Sequence, residues 1–325
     1  MIQTWLQPLP HGITLSCRAA GDPGAPVLMF LHGFPEAAFV WDELLAHFAR
    51  PENGGYRCVA PNLRGFERSS SPPEVAAYRA RHLVADIAAL IAIECAGSGG
   101  RLECLVAHDW GGALAWNLAN QQPQLMRKLA IVNSPHPGAF LRELQHNPRQ
   151  QAASAYMNFF LRPDAEQLLA EDDFRRLWPF FADIQLDDAQ APDPRRPASP
   201  PGAWMTDAVR EQYRAVWRGQ PGSSPGAGLT GGLNYYRASP LRPPRPDDPA
   251  AAGLTLPREM LTVDLPTLVI WAMQDAALPP ELIDGLDDWI GDLTLHRIAD
   301  ATHWVVHEQP GKVAGMLQDF LAGRA

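Results

Sequence analysis

The sequence has only four cysteines, Cys17, Cys58, Cys95 and Cys104, and no two of them form a CxxC pair. That spacing offers no disulfide framework and no zinc site, so buried, reduced thiols in a cytoplasmic protein are expected. Basic residues are also scarce: 27 Lys and Arg stand against 36 Asp and Glu, a formal net charge of −9. Without a basic stripe, neither nucleic acid nor an anionic membrane is an expected partner. No long uninterrupted apolar run is present. The longest, His82 to Ala96, is broken by Asp86 and Glu94 and reads as an amphipathic helix, not a bilayer span. The opening MIQTWLQPLPHG has neither a basic start nor an apolar segment, so no secretory leader is expected.

The chain does have apolar residues in quantity, 46% of 325, enough for one large domain or one domain with an insertion. Strand and helix patterns alternate over the first 135 residues. GITLSCRAA, PVLMFLH, YRCVAPN, RLECLVA and RKLAIVN read as strands; WDELLAHFAR, YRARHLVADIAALIAIE and GGALAWNLANQ read as helices. The grammar returns at the end with strands LPTLVIWA and LTLHRIA and helix PGKVAGMLQDFLAG. Such alternation predicts an α/β fold, a mostly parallel doubly wound sheet with helices on both faces. The middle shows helical patches and two proline-rich stretches, APDPRRPASPPGAW and SPLRPPRPDDPAAAG, expected to be irregular surface segments. The predicted layout is a core from 1–136 and 258–325, split by a helical insertion at 137–257.

One short stretch carries chemistry. In LECLVAHDWGG an apolar strand runs into Asp109, then two glycines and a helical pattern. Small residues two before and two after Asp109, Ala107 and Gly111, let strand and helix pack closely, as in a nucleophile elbow. An aspartate here also serves simply as a helix N-cap. The rest of the chain favours the elbow, because nucleophile, acid and histidine follow in the order that a triad in this fold requires. Asp275 lies in the loop after LPTLVIWA, and His303 lies in ADATHWVVHEQP after the next strand. Asn133 ends another strand where an acid could sit, so Asp275 is assigned as the orienter. HWVVH has helical metal-ligand spacing but no further ligand cluster; no metal is expected, and His307 is placed at the exposed start of the last helix. Upstream, HGFPE follows a strand in the position that donates to an oxyanion hole, whose N–H groups would be those of Phe34 and Trp110.

A carboxylate nucleophile points to saturated carbon. Serine would form an inert ether there, whereas aspartate forms an ester whose carbonyl water can attack once His303 has deprotonated it. The leaving group is then a halide or a ring oxygen. A ring oxygen leaves as an alkoxide, more basic than a phenol of pKa about 10, and so gains from a tyrosine O–H donor. Phe rather than Asn at position 34 removes one donor that a halide would use.

HGFPE, HDWGG, NYYR and HWVVHEQP together resemble the soluble-type epoxide hydrolases of the α/β-hydrolase fold. The resemblance spans nearly the whole core and both ends of the insertion. It implies hydrolysis of small-molecule epoxides to vicinal diols without a cofactor, and two ring-opening tyrosines in a helical cap, Tyr156 in ASAYMNFFLRP and Tyr236 in LNYYR. Tyr235 stands where Trp is more usual, so an offset of one is open. Asn62, Glu67 and Ala107 depart from the usual Asp, Gly and Gly. Phe34, Trp110, Phe159, Phe160 and Trp304 are the expected walls of an apolar pocket. Caps of this kind can pair across subunits, which leaves a homodimer open. Two other readings share the same residues. One is a haloalkane or haloacid dehalogenase, although the fluoroacetate type usually has Arg where Trp110 stands. The other is a non-catalytic ligand-binding member of the fold.

Overall fold

The structure is a computed structural model, and it describes residues 1–182, 184, 202–220, 222–245 and 247–324. Eight strands form one sheet: β1 (Gln3–Pro8), β2 (Thr14–Ala20), β3 (Val27–Leu31), β4 (Arg57–Pro61), β5 (Cys104–His108), β6 (Leu129–Val132), β7 (Thr267–Ala272) and β8 (Leu293–Ile298). Their order is β1-β2-β4-β3-β5-β6-β7-β8. β1 and β2 pair antiparallel, as do β2 and β4; every other ladder is parallel. Strands β3 to β7 are buried along their whole length, which is why they read as continuous apolar runs and not as alternating patterns. β1 has no counterpart among the expected strands. Its mostly exposed side chains, Leu6 among them, are those of an edge strand, and its apolar content is too low to mark it.

Helices cover both faces. α1 (Asp42–Phe48) and a C-terminal helix (Pro310–Leu321) pack on one side against Leu28, Phe30, Cys58, Val106 and Ala130. α2 (Ala80–Glu94) and α3 (Asp109–Gln121) pack on the other against Met29, Leu31, Leu105 and Ile131. Alternate residues of each central strand thus feed two separate cores. Between β6 and β7 the chain forms α4 (Pro137–His146), α5 (Pro148–Ala153), α6 (Tyr156–Phe160), α7 (Ala165–Phe174), α8 (Leu177–Phe180), α9 (Asp207–Arg218) and α10 (Ala227–Ala238). No strand occurs there among the described residues. The expectation for the proline-rich stretch at 191–201 lies outside the described residues; the second stretch holds one short 3-10 turn, Ala250–Gly253, and an isolated bridge. Two helices close the chain, α11 (Val305–Glu308) and α12 (Pro310–Leu321). Among the described residues no helix is long and apolar enough to cross a membrane.

Two close approaches set the site. A Cβ on Gly111 would come within 2.5 Å of the Leu31 carbonyl oxygen, so only glycine lets α3 start hard against β3. On the other side, Gly231 of α10 meets the backbone of Gly65, leaving no room for any side chain at either position. This glycine contact brings α10 down onto the sheet's carboxyl edge, where open α/β sheets bind ligands.

Candidate active site

β5 ends at His108, and Asp109 opens α3 with φ of 49°, a left-handed conformation that is rare outside glycine. Such strain persists only where the surroundings impose it. Here Ser134 Oγ donates to the Asp109 carbonyl at 2.7 Å, and the Phe34 N–H donates to Asp109 Oδ1 at 2.8 Å. Oδ1 is thereby fixed by the Phe34 N–H, and Oδ2 lies 3.7 Å from His303 Nε2.

The other nitrogen of His303, Nδ1, is 2.6 Å from Asp275 Oδ2. Asp275 is itself held firmly: Oδ1 accepts from the N–H groups of Ala277 and Leu278, both at 2.9 Å, and Oδ2 accepts from Asn133 Nδ2 at 2.8 Å. Asn133 in turn accepts from the Ala272 N–H at 2.9 Å. Burial pushes the His303 pKa down, but the charges of Asp275 and then Asp109 outweigh it and raise it to about 9.

A cavity of about 270 Å³ opens over Asp109, with Trp110, Tyr156, Met157, Tyr236 and Leu278 around the carboxylate. Burial, assisted by the negative charge of Asp109, holds both Tyr156 and Tyr236 protonated far above the usual phenol range. Tyr235 also borders the cavity, but its hydroxyl donates to the Arg64 carbonyl at 3.0 Å. Of the five aromatics expected to wall the pocket, Trp110 does so. Phe34 and Phe160 stand behind that wall, packed edge-on at 5.0 Å with Phe34 also against Tyr236. Phe159 packs against Phe160, and Trp304 packs beside His303 and Phe181. Phe34 contributes its backbone N–H.

Residues 26–310 match the family model described as alpha/beta hydrolase fold. The chain is 32% identical to the AB hydrolase superfamily protein YfhM of Bacillus subtilis, over 96% of this chain and 95% of that one. It is 31% identical to Epoxide hydrolase 4 of Mus musculus, over 95% of this chain and 77% of that one. The chain belongs to the α/β-hydrolase-fold epoxide hydrolases. Among solved structures, an epoxide hydrolase from metagenomes of hot environments superposes with a TM-score of 0.81 at 36% identity, each chain covered to 99%. The Bacillus megaterium epoxide hydrolase in complex with an inhibitor gives 0.79 at 27% identity, over 98% of this chain and all of that one.

Two features of this α/β-hydrolase were not read from its sequence. Asn133 is a second holder of Asp275; its place at the carboxyl end of β6 was the available signal. The other is a buried network around Glu36, whose carboxylate meets His108 Nδ1 at 3.0 Å and the Tyr213 hydroxyl at 3.2 Å. His108 Nε2 reaches the His303 carbonyl at 3.0 Å, and Trp217 of α9 donates to the Pro35 carbonyl at 2.7 Å. The same helix thus ties the oxyanion loop to the histidine loop. The expectation of an exposed His307 is corrected here: it is largely buried in α11, accepts or donates at 2.8 Å with Tyr213, and stacks on Trp204 at 4.3 Å. Trp204 and Tyr213, from the insertion between β6 and β7, cover it, which a reading confined to HWVVHEQP could not anticipate. No group of three or more His, Cys, Asp or Glu among the described residues is placed to hold a metal.

Proposed function

We propose that this chain converts hydrophobic epoxides to vicinal diols through an ester on Asp109, with 137–257 as the cap over the site. The supporting observation is the placement of two protonated phenols, Tyr156 and Tyr236, on the same cavity as an aspartate whose Oδ2 is free to attack. Oδ2 attacks one ring carbon, the carbon–oxygen bond breaks, and the departing oxygen takes a proton from a tyrosine. His303, oriented by Asp275, then takes a proton from water, and the hydroxide adds to the Asp109 carbonyl carbon. The oxyanion formed occupies the position now held by Oδ1, where the Phe34 N–H already donates, and the Trp110 N–H is assigned as its second donor. Collapse breaks the ester bond; the leaving oxygen takes the proton held by His303 to complete the diol, one water oxygen stays on Asp109, and the proton still on that oxygen returns to the tyrosinate. Asp109 and water are the two nucleophiles, and the tyrosine and His303 only relay protons, so epoxide and water together account for every atom of the diol. The four free, buried cysteines fit work in a reducing cytoplasm.

A His303→Gln protein tests the scheme. With styrene oxide it should lose about 10²- to 10⁴-fold in turnover and accumulate protein heavier by the mass of one epoxide, mapped to Asp109 by peptide mass spectrometry. Diol formation at the normal rate without an adduct would overturn it. So would halide release from chlorinated or brominated alkanes by the wild type with no diol from any epoxide.

A further inference from the structure

Resting on the epoxide-hydrolase reading, we propose that the cavity selects elongated, uncharged epoxides whose tail lies along α3 and emerges beside Met260, and that it rejects a carboxylate carried on that tail. The cavity wall includes Trp110, Ala113, Leu114 and Asn117, spaced as one stripe along a helix. From Asp109 to Asn117 that stripe advances ~12 Å at the rise of an α-helix. The rest of the wall comes from the end of α10 and the chain that follows it, Ala238 and Pro240 among them, and then Leu256 and Leu261. Met260, 53% exposed, marks the outer end, and Leu254, Leu256 and Leu261 continue into a shallower outer groove.

The polar groups on this path are already engaged. Asn117 Nδ2 donates to the Ala113 carbonyl at 2.8 Å, and Ser239 Oγ accepts from the Leu241 N–H at 3.2 Å. His136 contacts the Leu261 carbonyl and accepts from the Gly138 N–H, and burial pushes its pKa down to about 4, so it is neutral. No Lys or Arg is among the described lining residues. Beyond the rim, Arg142 is taken up by Glu143 and by the carbonyls of Glu281 and Asp284, and Arg258 by the carbonyl of Asp288. An alkyl tail therefore gains from burial at every methylene. A carboxylate on the same path finds no counter-charge and faces the Asp109 anion, and an unpaired charge in apolar surroundings is strongly disfavoured. The net charge of −9 also slows the approach of anions.

The test uses the full chain and initial rates on unbranched terminal epoxides of four, six, eight and ten carbons, together with the ten-carbon epoxide ending in a carboxylate. The expected kcat/KM rises roughly tenfold per added pair of methylenes, and the carboxylate compound falls about 100-fold below its uncharged counterpart. An Asn117→Arg protein should close most of that deficit, read against the uncharged ten-carbon compound in the same protein. A flat series, or equal turnover of the carboxylate, overturns the inference while leaving epoxide hydrolysis in place. An unchanged deficit in Asn117→Arg overturns the path along α3. Failure to open any of the epoxides overturns the function itself, and the inference with it.

Discussion

Tyr235 and Tyr236 are consecutive on α10, yet their hydroxyls serve different parts of the molecule. Successive residues on a helix diverge by about 100°. Tyr235 therefore turns to the core loop and donates to the Arg64 carbonyl, while Tyr236 turns to Trp110 and Tyr156 over the Asp109 carboxylate. The Arg64 guanidinium is itself bound to the buried Asp86, so Tyr235 holds the backbone of a residue anchored by an ion pair.

Substituting each tyrosine by phenylalanine separates the two tasks. In the proposed mechanism Tyr236→Phe removes an acid for the departing ring oxygen, so kcat/KM for styrene oxide should fall about 10²-fold or more with the thermal midpoint nearly unchanged. Tyr235→Phe should keep at least half of the activity and lose about 1 kcal/mol of stability, the net value of one hydrogen bond. Steady-state kinetics and urea unfolding on the two proteins decide it. The reverse pattern would move the ring-opening role to Tyr235.

His303 predicts a specific dependence on pH. In the resting enzyme its pKa is raised to about 9 because Asp275 and Asp109 both carry charge beside it. In the proposed mechanism, esterification of Asp109 removes its charge, so the imidazole gives up its proton more readily just when a base is needed. Single-turnover decay of the alkyl-enzyme should therefore rise with pH along a curve whose midpoint lies below 9. Stability follows the opposite sense. A histidine whose pKa is raised by folding, from 6.5 to about 9, adds stability that is fully present below pH 6.5 and lost as pH rises through 9. The stability of the wild type relative to His303→Gln should shrink across that window in urea titrations. A constant difference would show that the ion pairs do not set the pKa.

The parts of the fold that were legible in the sequence are those whose local pattern matches their final surroundings. β3, β5 and β7 are buried on both faces and show it as unbroken apolar runs. The elbow was legible because Gly111 meets a backbone requirement that no other residue satisfies. β1 was not, because an edge strand needs little apolar surface. The cavity wall was legible least: Ala238, Leu256 and Met260 are brought to α3 by the return of the chain from the insertion between β6 and β7, and no spacing along the sequence encodes that meeting. His307 was misplaced for the same reason, since Tyr213 and Trp204 reach it from more than ninety residues away.

The departures at Asn62 and Glu67 make a last prediction, because the structure joins them. Glu67 sits at φ of 51°, a conformation suited to the glycine more usual there. Its carboxylate accepts from Ser16 Oγ, from the Arg68 N–H at 3.1 Å and from Asn62 Nδ2 at 3.0 Å. Asn62 is buried, also donates to Ser16 Oγ, and accepts from the Ala38 N–H just beyond the oxyanion loop. An aspartate at 62 could still accept from Ala38, but it would donate nothing and would set a second carboxylate against the first. Asn62→Asp should therefore cost about 2–3 kcal/mol in this chain. In a Glu67→Gly background the same change should cost under about 1 kcal/mol, since the opposing charge is gone and glycine accepts the backbone angle without strain. A double-mutant cycle by urea unfolding measures the coupling. Additive costs would mean that the two departures are independent, and that the amide at 62 is not there to satisfy the acid at 67.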